Sequence, residues 1–186
     1  HLLPMRRMLQ PLNTQNPALE AMIVTPLGPV RVFSIHLAHV GVEERLEQID
    51  FLLAHHARTG LEGGPWSGTD DEPSRNWTEG QAEPPCPQTA IWLGDFNCEP
   101  GSAEHGRITG ANPYHPGARY ACGFTDAVAH LGQPLHSHEK IIAGTRRLRQ
   151  LDHCFVTGDL VPALRSAQVD NAEIASDHHP LWIDFA

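Results

Sequence analysis

The sequence predicts a single domain of mixed α/β layers. Three observations carry that expectation. The chain has 186 residues, within the roughly 100–200 of a typical domain. Short β-branched or apolar runs recur between turn residues, and one long run of helical period lies among them. Strands interspersed with few helices, some joined as hairpins, give mixed layers. No internal repeat is present.

Residues 1–18 read as irregular, because Pro4, Pro11 and Pro17 break any long helix. Leu19–Val24 and Pro29–Leu37 are β-branched and apolar, and the turn Thr25-Pro26-Leu27-Gly28 between them marks a hairpin. Val42 to Arg58 is the clearest helix, with Val42, Leu46, Ile49, Leu52, Leu53 and His56 in one row. Glu43 and Glu44 in its first turn and His55, His56 and Arg58 in its last suit the helix dipole, and Gly60 is the expected stop. Residues 59–88 hold several prolines and glycines, six acids and a single base, Arg75. They read as a flexible acidic surface insertion within one domain spanning 1–186. Ala90–Leu93 is a continuous apolar run suited to a strand covered on both faces. A short helix is expected after Pro100 and another over Phe124–Leu131. Further strands are expected at Leu151–Val156, Ala167–Val169 and Leu181–Phe185.

Twenty-two acids against thirteen bases give a formal charge of −9. That balance argues against a protein holding nucleic acid mainly by neutralising its backbone. Part of the acidity lies in 59–88, so the remainder is nearer neutral, and a small anionic substrate or a brief nucleic-acid encounter stays open. No apolar run approaches the ~18 residues needed to span a bilayer, so no transmembrane segment is expected. Cys86, Cys98, Cys122 and Cys154 are widely spaced without a C-x-x-C pair. They read as free thiols in a reducing, cytoplasmic setting.

Four segments put polar residues at strand ends: Ser34-Ile35-His36-Leu37, Gly94-Asp95-Phe96-Asn97, Leu151-Asp152-His153 and Ser176-Asp177-His178-His179-Pro180. A polar group buried there without partners is costly, so each needs a partner or a purpose. Strand alternation puts Asp95 and Asn97 on one side and Phe96 in the core. Together they offer an acceptor for a water proton or metal and a donor for an oxyanion, or else a turn in which both cap backbone groups. Asp152 interrupts an apolar strand. Facing His178, it would fix the imidazole tautomer and favour its charged form. Arg147 or Arg149 are its alternative partners.

In this order the four segments resemble the endonuclease/exonuclease/phosphatase superfamily of metal-dependent phosphoesterases. Glu44-Arg45 and Gln48, and Phe124-Thr125-Asp126-Ala127, extend the resemblance over most of the chain from Leu19 onward, apart from 59–88. It implies two mixed β-sheets packed face to face with helices outside, and hydrolysis of a phosphoester with Mg²⁺ or Mn²⁺. Asp95 would orient or deprotonate the attacking water, and Asn97 would hold it or a phosphoryl oxygen. His178, positioned by Asp152, and His36 would donate hydrogen bonds to phosphoryl oxygens. Asp177 and Asp95 would serve the metal, and His138 would line the substrate groove. Hard oxygen ligands suit these ions.

The resemblance also implies a metal-binding Glu and an Asn on strands ahead of residues 19–37, where this chain has little. Glu20 lies in the wrong place to stand in. The expectation is the C-terminal part of a longer protein, whose open sheet is covered by the missing N-terminal part or another chain. A catalytically silent fragment or pseudoenzyme acting as a binding module is therefore the alternative function. A zinc hydrolase built on His36 and His39, or on His136 and His138, is a third reading that no cysteine or carboxylate cluster completes. Lys140, Arg146, Arg147 and Arg149 form the one basic cluster, read either as phosphate contacts or as a solvated loop. Cys98 reads as a small packing residue. Nucleic acid, a phospholipid headgroup and a small phosphate all remain open as substrates.

Overall fold

The computed structural model describes residues 2–9, 18–62, 86–115, 117–172 and 175–186. Strand β1 (Leu2–Leu9) pairs antiparallel with β2 (Ala18–Thr25), which pairs antiparallel with β3 (Gly28–His36). The irregular reading of residues 1–18 is thus corrected at Leu2–Leu9. Pro4 lies where the β1–β2 register shifts, on the edge strand of its sheet, and both are places that tolerate a missing N–H. The hairpin between β2 and β3 turns on Pro26-Leu27, as expected, with the Thr25 hydroxyl donating to the Gly28 carbonyl at 2.9 Å.

Helix α1 (Val42–Glu62) buries Ile49 and Leu52 and runs four residues beyond Arg58. Thr59 is buried and its hydroxyl donates to the His55 carbonyl, so packing carries the helix through Gly60. A Cβ at residue 60 would meet only the movable end of the Gln88 side chain, and Gly60 lies inside the helix without ending it. The last turn consequently holds no basic residue, against the dipole expectation. Residues 59–62 belong to this helix, and 63–85 of the expected insertion lie outside the described residues.

Strand β4 (Ala90–Asp95) lies parallel to β3, the helix serving as crossover. Ala90 and Trp92 are fully buried, but Leu93 on the other side is 40% exposed. Ile91 on that second face packs against the cluster around Val156 and Leu164, so the expected cover on both faces holds at Ile91 and fails at Leu93. Helix α2 (Ala103–Thr109) follows Pro100 as expected, with Ser102 as its N-cap. The helix expected over Phe124–Leu131 is instead β5 (Thr125–Asp126) and a four-residue α3 (Ala127–His130). Asp126 accepts from the Val128 and Ala129 amides, so it caps the helix and fixes its start.

Strands β6 (His138–Ile142) and β7 (Thr145–Arg149) form a hairpin that the sequence reading missed. Its turn, Ala143-Gly144, has positive φ at both residues, the geometry of a tight hairpin loop. Both strands are largely exposed, so they carry no inside–outside alternation to detect. Strand β8 (Asp152–Val156), a 3-10 turn at Gly158–Ala163, β9 (Leu164–Val169) and β10 (Leu181–Phe185) complete the chain.

The main sheet has the order β1-β2-β3-β4-β8-β5, and β10–β9 and β6–β7 form separate pairs. One face packs Phe33, Ile35, Trp92, Phe96, Phe124 and Phe155 with Ile49 and Leu52 of α1. On the other, Val30, Cys154 and Val156 meet Leu164, Ile183 and Phe185 of β9 and β10. Between the sheets on this second side a crevice of about 630 Å³ reaches from Val32 and Leu93 to Asp152 and His178. All four cysteines are free thiols, with Cys98 and Cys154 buried. No helix of the described residues is long and apolar enough to cross a membrane.

Candidate active site

Strand register builds the site. His36 at the end of β3 lies opposite Asp95 at the end of β4, and Asp95 lies opposite Asp152 at the start of β8. Alternation turns all three toward β9–β10, while Ile35, Trp92, Phe96 and His153 go to the α1 side. Residues far apart in sequence thus form one row across three neighbouring strands. Gly94 allows that approach: its φ is +133°, and a Cβ there would lie 2.0 Å from the Ile35 carbonyl oxygen.

His178 enters from the segment before β10. Its Nδ1 donates to Asp152 Oδ2 at 2.8 Å, and its Nε2 lies 3.8 Å from Asp95 Oδ2. His36 Nε2 lies 3.7 Å from the same Asp95 oxygen. Asp95, Asp152 and His178 bring one ligand atom each within 4.8 Å of one another. Asp95 also caps its turn, Oδ1 accepting from the Asn97 amide at 2.8 Å while Oδ2 faces the histidines. The capping reading of Gly-Asp-Phe-Asn is thus observed, and it occupies Oδ1 while leaving Oδ2 on the side of the histidines. Asn97 is half-buried with a left-handed φ of 50°, and its Nδ2 donates to the Leu37 carbonyl. The loop after β3 is held in turn by α1: Gln48 accepts from the Ala38 amide, and Arg45 bonds the Ala38 carbonyl and Glu104.

Burial opposes a charge on His178. The Asp152 hydrogen bond and the nearby Asp152, Asp95 and Asp177 carboxylates outweigh it and raise its pKa above the usual histidine value. His138 shifts the other way, lowered by burial and by His178, with Asp177 opposing. His138 forms a backbone bridge to His178, their rings are 4.8 Å apart, and its Nε2 lies 3.5 Å from Asp177 Oδ2. Asp177 itself is exposed at the rim. Arg146 and Arg147 lie out on β7, joined to the row by no described contact. Arg146 is held by Glu139 at 2.6–2.7 Å, and Arg149 by Glu99. Asp152 thus pairs with His178 and with neither arginine.

A second group was not foreseen. His105, Asp126 and His153 converge on the α1 side, all buried. Asp126 Oδ2 accepts from His105 Nε2 at 3.0 Å and His153 Nδ1 at 3.3 Å, and His153 Nε2 donates to the Cys98 carbonyl at 3.0 Å. Burial works against both ions here, but the mutual hydrogen bonds dominate. They push His153 up to about 10 and Asp126 well below the usual carboxylate range. The signal was present in the sequence, since His153 occupies the core-facing phase of a strand beside Phe155. Among the described residues these two groups are the ones with three potential metal ligands. Neither joins His36 to His39 or His136 to His138, so the zinc sites read from histidine spacing are not formed. Glu20 is likewise engaged elsewhere, buried against Arg31 at 2.6 Å and His55 at 3.0 Å.

No family model matches the chain, and no curated protein matches it. Solved structures do. The 3′ phosphatase NExo from Neisseria, bound to product DNA hairpin, superposes with a TM-score of 0.62 at 15% identity, over 100% of this chain and 72% of that one. An endonuclease/exonuclease/phosphatase family protein from Leptotrichia buccalis also gives 0.62, at 16% identity, over 100% and 62%. D. rerio TDP2 complexed with single strand DNA product gives 0.60 at 15% identity, over 100% and 68%. The chain shares the fold of these structures. The chain spans 56% of the length of a functionally unknown conserved protein from Enterococcus faecalis, and 72% of NExo.

Proposed function

We propose that the chain hydrolyses phosphoester bonds with a divalent cation, as a phosphodiesterase of nuclease type. The observation that carries this reading is the row His36–Asp95–Asp152 closed by His178, with Asp152 and His178 lining one crevice. Its carboxylates fit a hard cation: half-buried Asp95 and Asp152 bring oxygens within 4.8 Å of each other. Asp95 and Asp152 would hold Mg²⁺ or Mn²⁺, with Asp177 supplying a further carboxylate at the rim. A cation there offsets negative charge building on the phosphoryl oxygens.

Asp95 Oδ2, free of the turn, accepts the proton of the attacking water. Asn97, pinned by one N–H to Leu37, keeps its carboxamide oxygen and second N–H for that water or a phosphoryl oxygen. Asp152 fixes the His178 tautomer so that Nε2–H points outward, and the raised pKa favours the imidazolium that best binds an anion. His36 donates from the opposite side.

The hairpin supports nucleic acid as the substrate over a lipid headgroup. Lys140 and Arg147 are cross-strand partners, both exposed and without an acidic partner among the described residues. Like charges directly opposite destabilise a hairpin, and a phosphate chain leading from His138 toward them would relieve that repulsion. Arg146 lies on the opposite face with Glu139, so of the two arginines Arg147 is the better substrate contact.

The test is turnover of bis(p-nitrophenyl) phosphate with Mg²⁺ or Mn²⁺. Asp95→Ala, Asn97→Ala and His178→Ala are each expected to lower it by about 10²–10⁴-fold while the protein stays folded. Unchanged turnover in all three rejects the reading. The open crevice and the partial span of the matched structures support a second reading, a silent binding module completed by an N-terminal part or another chain. Calorimetric titration separates the two, since only the enzyme requires Mg²⁺ or Mn²⁺ binding that is lost with Asp95→Ala.

A further inference from the structure

The turn that presents Asn97 is intrinsically unfavourable. Asn97 has φ +50°, a conformation that costs a non-glycine residue about a kilocalorie per mole or more and persists only where its surroundings impose it. Three hydrogen bonds impose it here. Two are local to the site: the Asn97 amide to Asp95 and the Asn97 carboxamide to Leu37. The third comes through the sheet from the opposite side, where His153 Nε2 donates to the carbonyl of Cys98, the residue that follows Asn97.

His153 is unusually well held. Its ring stacks on Phe155 at 5.1 Å and 14° and meets the edge of Phe96 at 5.8 Å. Its Nδ1 donates to Asp126 Oδ2, which also takes His105 Nε2, while Oδ1 takes the Val128 and Ala129 amides. Four donors therefore occupy the Asp126 carboxylate, which leaves it full as an acceptor. A chain of hydrogen bonds runs from α2 through Asp126 and His153 to the catalytic turn.

We propose that His153 is a positioning residue, whose Nε2–H anchors the Cys98 carbonyl and so sets the turn from which Asn97 and Asp95 reach the open site. The proposal rests on the phosphoesterase reading only for its catalytic consequence. The structural consequence, a loosened turn, is independent of it.

Two replacements separate the roles of the ring. His153→Phe keeps the stack and loses both N–H groups, whereas His153→Gln places an amide N–H near the former Nε2. With bis(p-nitrophenyl) phosphate, His153→Phe is expected to lower kcat about 10²-fold with KM nearly unchanged, the cost of a misplaced group distant from the reacting atoms. His153→Gln recovers most of that loss. Added to Asn97→Ala, His153→Phe has little further effect, because residues acting through one another are not additive. Amide hydrogen exchange at Asn97 rises about tenfold in His153→Phe beyond any rise at Trp92 and Val156, which report global stability, and that excess is lost in His153→Gln. Should His153→Phe not fold, His153→Asn, which keeps the donor toward Asp126 alone, carries the same expectations.

Equal impairment by Phe and Gln, full additivity with Asn97→Ala, or unaltered exchange at Asn97 overturns the proposal. So does stoichiometric zinc in the purified protein that disappears with His105→Ala, since the three side chains would then be ligands and not a hydrogen-bonded clamp. If Asn97→Ala leaves turnover intact, the phosphoesterase reading fails, and exchange at Asn97 still decides whether His153 holds the turn.

Discussion

Two groups of histidine and aspartate lie back to back on β8, one through Asp152 and the other through its neighbour His153. Their residue types are nearly the same. In the outer group the His178 side chain is 31% exposed and His36 59%. In the inner one His153 and Asp126 are 0% and 2% exposed. In the outer group the Asp95 Oδ2 lies 3.7–3.8 Å from two imidazoles, beyond a hydrogen bond, and has room for a cation or water. In the inner group every Asp126 lone pair is taken. The same residue types are thus under-coordinated and open in the row proposed as the active site, and saturated and sealed in the group proposed as a clamp.

The contrast breaks most sharply under single substitutions. Asp126→Ala strands His153 and is expected to destabilise the fold by about 3–5 kcal/mol, the usual effect of removing one partner of a buried pair. Chemical denaturation measures it, and a loss below about 1 kcal/mol would remove the distinction between clamp and site. Asp152→Asn should do the reverse. It leaves His178 in the wrong tautomer, lowering turnover by about 10²–10⁴-fold, with stability changed by less than about 1 kcal/mol because the pair is solvated.

Proton linkage sharpens the comparison on the inner side. The folded pKa of His153, raised to about 10, exceeds its ordinary value near 6.5. Its contribution is therefore full below about pH 6.5 and is lost progressively as pH rises toward 10. Denaturation midpoints should fall across that range in the parent, and His153→Gln should flatten the fall. Half-buried His56 acts oppositely. Burial and Arg31 lower it to about 4, so stability drops as pH falls from about 6.5 toward 4.

The smallest effects belong to the hairpin beside the open group. Arg147→Ala should raise KM for a single-stranded oligonucleotide and reduce the salt slope by about 0.7 for each phosphate left without its cation. Turnover of bis(p-nitrophenyl) phosphate should stay unchanged in that variant. Arg146→Ala, on the other face, should leave both the denaturation midpoint and the slope unchanged, because its ion pair with Glu139 is exposed.

The legible parts of the chain were those with local signals. Apolar runs marked β3, β4, β8 and β10, Pro100 preceded α2, and polar residues at strand ends marked His36, Asp95, Asp152 and His178. The β6–β7 hairpin escaped because strands exposed on both faces leave no alternation. The end of α1 escaped because Gly60 is a stop signal only where nothing packs against it. Asp126 sits in a legible segment, but its partners, His105 and His153, lie 21 and 27 residues away, and no local pattern joins them.

By itself, then, the sequence determined that β2, β3, β4, β8, β9 and β10 form, which of their residues are polar, and which side of a strand each of those residues takes, because alternation acts over a few residues. Only the tertiary structure decided which of those residues meet. Register between β3, β4 and β8 is settled by packing and hydrogen bonding across the sheet. That register put Asp152 in an open row and His153 in a sealed one, a single peptide bond apart.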